Sequence, residues 1–111
     1  MSLTEQEVVA AVGGISATRL RVLVRNGWVR PERTAGAPAF SEIDVARVRL
    51  VCHLTEQLEV PEDDLTVILS LVDQVYGLRR ALRNLSRAVE SQPDDIRAEI
   101  ARAFRDINRA N

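Results

Sequence analysis

A mostly α-helical fold, with a small body that runs on into a long helix and a shorter terminal one, is predicted by three observations. Over residues 65–89 the apolar side chains Ile68, Leu71, Val75, Leu78, Leu82, Leu85 and Val89 alternate at spacings of three and four. On a helix that pattern makes one narrow stripe of the kind that pairs with another helix. Thr4 with Glu7, and Ser41 with Asp44, have capping-box spacing ahead of apolar segments. Only four prolines and five glycines occur in 111 residues, which leaves most of the length free of helix breakers.

Taken in order, residues 3–12 form a short helix, with Thr4 as N-cap and Leu3 stapled to Val8. Gly13-Gly14 ends it and Ser16 caps a second helix over residues 17–25, whose inward face is Leu20, Leu23 and Val24. This is a helix-turn-helix pattern. Asn26-Gly27 stops the second helix, and Trp28-Val29-Arg30, closed by Pro31, reads as a strand. A turn-like stretch over residues 32–38, with Gly36 and Pro38, leads to a short returning strand at Ala39-Phe40, which completes a small wing.

Ser41 then starts a helix to about Leu58, with Phe40 stapled to Val45 and a broad apolar face of Ile43, Val48, Leu50, Val51, Leu54 and Leu58. Glu59-Val60-Pro61 breaks it, and Pro61 suits the first turn of the long helix, with Glu62, Asp63 and Asp64 at its positive end. A second apolar face on that helix, Leu65, Leu69, Val72 and Tyr76, gives way to Arg79, Arg83 and Ser86. The long helix is therefore expected to leave the body near Gly77. After the break at Ser91-Gln92-Pro93, a last helix carries Ile96, Ile100, Ala103, Phe104 and Ile107 on one face, with Asp94 facing Arg97 and Glu99 facing Arg102. The expected organisation is a winged helix-turn-helix body in residues 1–64, a heptad helix in 65–90 that completes the body and mediates dimerisation, and an amphipathic helix in 91–111.

Composition narrows the function classes. Hydrophobic residues at 46% and charged residues at 28% exclude a disordered chain. No apolar run approaches the roughly 18 residues of a membrane span, and residues 1–10 are acidic with no basic residue, unlike a targeting peptide. A cytoplasmic protein without a membrane segment is the expectation. The single cysteine, Cys52, leaves no intramolecular disulfide and no zinc set, so no metal or other cofactor is expected. Cys52 and His53 are helix neighbours pointing about 100 degrees apart, so they do not form a nucleophile and base pair. No catalytic constellation is present.

The order of helix, turn, helix, Asn26-Gly27-Trp28-Val29-Arg30-Pro31, wing, Phe40-Ser41 with Asp44, long helix and heptad helix resembles the winged helix-turn-helix of the MerR group. Three stretches, Phe40 to Leu50, Leu58 to Asp64 and Ile68 to Arg79, are similar to the chaperone-modulator CbpM family. That resemblance implies a small cytoplasmic protein, not an enzyme, that binds the J-domain of a DnaJ-like (CbpA-type) co-chaperone and restrains its stimulation of Hsp70. The alternative is a MerR-like DNA-binding transcription regulator.

Two charged regions bear on that choice. Arg19, Arg21 and Arg25 lie on the would-be recognition helix, and Arg30 and Arg33 flank the wing. The net charge is -1, however, and the wing reads Thr34-Ala35-Gly36-Ala37-Pro38-Ala39, where MerR proteins usually carry Arg and Tyr after the wing glycine. Without polar reach at the wing, DNA recognition is disfavoured. By contrast Glu56, Glu59, Glu62, Asp63 and Asp64 put five acids in nine residues with no base among them. Helix-start chemistry explains Glu62, Asp63 and Asp64, whereas Glu56 and Glu59 end the preceding helix, where the dipole disfavours them. These five, with Asp73 as a weaker addition, are the expected partner-binding residues. The heptad stripe of Ile68, Leu71, Val75, Leu78, Leu82, Leu85 and Val89 is the expected homodimer seam. Arg79, Arg80, Arg83 and Arg87 form a basic flank best read as solvated.

Overall fold

The structure, a computed structural model, describes residues 2–110. Its elements are α1 (Glu5–Val12), α2 (Ala17–Arg25), β1 (Glu32–Thr34), β2 (Ala37–Ala39), α3 (Glu42–Cys52), a π-helical turn (His53–Gln57), α4 (Glu62–Glu90) and α5 (Asp94–Ala110). The chain divides into two compact units, residues 1–70 and 71–111, with the division inside α4. It is a mostly helical, winged helix-turn-helix fold with a long helix.

Local chemistry sets the helix boundaries of the first unit. Thr4 Oγ1 accepts from the Glu7 N–H at 3.2 Å while Glu7 Oε1 accepts from the Thr4 N–H at 3.1 Å. Ser41 and Asp44 exchange the same pair of bonds at 3.1 and 2.9 Å. Each box satisfies two donors that a helix start otherwise leaves unpaired. Ser16 Oγ caps α2 through the Arg19 N–H, and Gly13 ends α1 at φ 74.

The wing forms elsewhere than expected. Trp28-Val29-Arg30 is not a strand, because the Trp28 N–H donates to the Leu23 carbonyl at 3.1 Å and the Gly27 N–H to Val24 at 3.1 Å. With Gly27 at φ 77 this is a Schellman closure of α2, which occupies the N–H that a ladder would need. Pairing starts one step later, with Glu32 opposite Ala39, Arg33 opposite Pro38 and Thr34 opposite Ala37. Ala35 at φ 53 and Gly36 at φ 79, both in the left-handed conformation, make a two-residue turn whose twist matches the right-handed twist of the flanking strands. Phe40 lies outside that ladder and bridges Leu3 instead, through bonds of 2.7 and 2.8 Å.

One core holds this unit together. Val8 of α1, Leu20 and Leu23 of α2, Trp28, Val29 and Phe40 around the wing, Val45, Val48 and Val51 of α3, Leu54, and Leu65 and Leu69 of α4 are all buried. Trp28 is tied further by its Nε1–H, which donates to Thr66 Oγ1 at 3.2 Å, and its carbonyl accepts from the Arg47 guanidinium. Arg49 donates to the Ala11 carbonyl at 3.0 Å, in the last turn of α1 where carbonyls lack helical donors. Among the described residues no buried side-chain polar atom lacks a partner.

Two expectations for α3 fail. Ile43 and Leu58 are exposed at 72% and 60% rather than buried, and the helix changes character after Cys52. Thr55 Oγ1 donates to the Val51 carbonyl at 2.9 Å and to Cys52 at 3.3 Å, competing for acceptors of the helical ladder. The turn from His53 widens, and Leu58 bonds back to His53 five residues earlier at 3.2 Å. Each wide turn adds a residue, which takes Leu58 off the row that Val48, Val51 and Leu54 bury.

Helix α4 is continuous for 29 residues and passes through Gly77 without interruption. Within the first unit Leu65 and Leu69 are its buried residues; in the second, Val72 is half-buried and Tyr76 is 58% exposed. In the second unit no described residue is buried. Helix α5 begins at Asp94 with an Asp94–Arg97 ion pair, and its Ile96, Ile100, Phe104 and Ile107 are all exposed.

Candidate functional site

The acidic junction is built where α3 hands over to α4. Glu56 stands on the π turn, Glu59 in the connection, and Glu62, Asp63 and Asp64 in the first turn of α4. All five side chains are exposed. Glu59 has φ 52, a left-handed conformation that costs a residue with a Cβ about 1 to 2 kcal/mol. The Val60 N–H donating to the Leu54 carbonyl at 2.9 Å holds it there. Helix closures of this kind usually place glycine at the left-handed position; here a carboxylate stands there instead.

Glu62 alone of the five is spent internally, accepting from Arg19 Nη1 at 3.0 Å. Glu56, Glu59, Asp63 and Asp64 have no ion-pair partner among the described residues. The Glu56 charge reaches Cys52, whose thiol is pushed up from its ordinary value by burial first and by Glu56 second, against a smaller opposing effect of Arg19. A half-buried thiol held protonated, with His53 exposed beside it, is no activated nucleophile. Asp73, the weaker partner candidate, is exposed on α4 within the second unit.

The face that a helix-turn-helix protein turns to nucleic acid carries arginines that are already engaged. Arg21 grips Glu5 of α1 through Nη2 at 2.7 Å and Nε at 3.1 Å, an arrangement that pushes the guanidinium still further from deprotonation. Arg19 holds Glu62. In the wing, Arg33 donates to the Gly36 carbonyl at 2.9 Å and Arg30 to the Gly27 carbonyl at 3.3 Å. Arg25 is exposed with no ion-pair partner among the described residues. Sequence reading missed Glu5 and Glu62 as partners of these arginines. The pairs are 16 and 43 residues apart, and no local pattern marks them.

Along the heptad stripe the structure separates one residue from the others. Ile68 packs against the core of the first unit. Leu71, Val75, Leu78, Leu82 and Leu85 are 48% to 66% exposed, and Val89 is half-buried. No group of His, Cys, Asp and Glu among the described residues has metal-holding geometry. No helix among them is long and apolar enough to cross a membrane.

Residues 3–87 match the protein family described as MerR HTH family regulatory protein. No curated protein matches the chain, and no solved structure does either. With a match over most of its length and a winged helix-turn-helix fold, the chain belongs to the MerR helix-turn-helix family of regulatory proteins.

Proposed function

We propose that this protein is a non-catalytic chaperone modulator, a homodimer that binds the J-domain of a DnaJ-like co-chaperone and inhibits its stimulation of Hsp70. The observation that carries the reading is the contrast between two surfaces of the first unit. Glu56, Glu59, Asp63 and Asp64 remain exposed and uncompensated at the α3–α4 junction, while Arg19 and Arg21 on α2 are neutralised by Glu62 and Glu5. A J-domain presents a basic helix to Hsp70, and a carboxylate cluster that occupies that helix blocks it by competition, without chemistry. Complementary charge of this sort speeds encounter and fixes register. The resemblance of Phe40 to Leu50, Leu58 to Asp64 and Ile68 to Arg79 to the CbpM family points to the same partner. Dimerisation through Leu71, Val75, Leu78, Leu82 and Leu85, with Ile68 and Val89 at the ends of the stripe, would cover apolar surface that a single chain leaves open.

A second reading, a DNA-binding transcription regulator, is favoured by the family match and by the open Arg25. Titrating a purified J-domain into the protein by calorimetry separates the two. The modulator reading expects a stoichiometric complex that weakens as salt rises. Absence of any complex, together with tight sequence-selective DNA binding at physiological salt that is lost in Arg19→Ala or Arg25→Ala, would establish the regulator instead.

A further inference from the structure

We propose that Glu5 and Glu62 form an electrostatic mask that cancels the phosphate-binding capacity of α2. At about 100 degrees per residue, Thr18, Val22 and Arg25 lie along the side of α2 opposite the buried Leu20 and Leu23. Arg19 and Arg21 are about 200 degrees apart and so border that outward row on its two flanks. For a helix lying in a nucleic-acid groove, the flanks are where the two phosphate backbones run, and a guanidinium fork suits a phosphate. Both flanking guanidinium groups are held by carboxylates brought from elsewhere in the fold, Arg21 through Nε and Nη2 by Glu5 of α1 and Arg19 through Nη1 by Glu62 of α4. Each carboxylate offsets the charge of the guanidinium it holds, so the pair presents no net cation to a phosphate. Arg25, Arg30 and Arg33 have no carboxylate partner among the described residues, and Arg30 and Arg33 donate to backbone carbonyls. The ligand class is therefore the phosphate backbone of double-stranded nucleic acid, and the mask holds that affinity down.

The test measures binding of a fluorescent random-sequence DNA duplex by anisotropy across a salt series, with the wild-type chain and the Glu5→Gln, Glu62→Gln double variant. Freeing two phosphate contacts steepens the slope of log affinity against log salt by about 1.8, so the gain at about 50 mM salt should exceed that at about 200 mM by about tenfold. Adding Arg19→Ala and Arg21→Ala to the double variant should cancel the gain. The Glu56→Gln, Glu59→Gln variant changes net charge equally and should gain much less. An unchanged slope in the folded Glu5→Gln, Glu62→Gln protein overturns the proposal, as does a gain that survives loss of both arginines or is matched by the charge control. No partner protein enters the assay, so its outcome is separate from that of the J-domain titration.

Discussion

Glu59 is the position at which stability and proposed function are set against each other. Its φ of 52 costs about 1 to 2 kcal/mol for a side chain with a Cβ, and Glu59→Gly removes that cost. The glycine adds freedom to the unfolded chain, worth about 0.4 to 1 kcal/mol in the other direction. The backbone closure from Val60 to Leu54 uses no Glu59 atom beyond its backbone path, so nothing else is lost. At the midpoints of those ranges the net expectation is stabilisation by about 0.8 kcal/mol, or a rise of about 2 to 5 °C in Tm. The same substitution deletes one of four uncompensated carboxylates at the junction and should weaken the J-domain complex several-fold at low salt. Thermal unfolding by circular dichroism reads the first effect and calorimetric titration the second. A lower Tm for Glu59→Gly would refute the strain reasoning, and an undiminished affinity would take Glu59 out of the partner surface.

Further outcomes follow from other parts of the molecule. The Leu78→Glu, Leu82→Glu variant should sediment as a single chain where the wild type sediments as two; a monomeric wild type at high micromolar concentration would defeat the dimer. Five exposed seam residues from each chain, at about 1 to 2 kcal/mol each for the surface still open, supply on the order of 10 kcal/mol before association costs. Leu65→Ala, at a fully buried site linking α4 to the core, should cost about 2 to 5 kcal/mol in denaturant unfolding. Ala35→Asn should stabilise the wing, since asparagine tolerates the left-handed turn position better than alanine, and a reduced Tm would contradict that turn geometry. The Cys52 thiol, raised above its ordinary value, should react slowly with iodoacetamide at neutral pH. Because the folded protein holds that proton more tightly than the unfolded chain, its contribution to stability is complete below the unfolded thiol's pKa and is lost as pH rises through the folded value.

Features decided within a few residues were legible in the sequence. The caps at Thr4, Ser16 and Ser41, the glycine stop at Gly13 and the continuity of α4 depend on neighbours three or four positions away. The wing register was not legible, because the strand-like Trp28-Val29 is claimed by the closure of α2 and the hairpin forms around Ala35-Gly36. The π turn was missed for a similar reason: Thr55 diverts helix acceptors with its hydroxyl, and a helical wheel with a fixed period then places Leu58 inward. Of the candidate site, the acidic run itself was visible, but its one internal pairing was not. Arg19 and Glu62 meet only after α2 and α4 are packed on the same core, and that contact makes half of an ion pair out of an arginine that the sequence alone shows as a free cation.

The central claim, that uncompensated carboxylates at the α3–α4 junction occlude a J-domain, is tested most directly by J-domain-stimulated Hsp70 ATPase turnover in the presence of the Glu59→Arg, Asp63→Arg protein. Wild type should suppress the stimulation, and the double variant, shown by circular dichroism to be folded and by sedimentation to keep its oligomeric state, should suppress none of it. Undiminished inhibition by that folded variant would contradict the account and place the binding surface elsewhere, with the Arg79 to Arg87 flank or the helix-turn-helix face as the remaining sites.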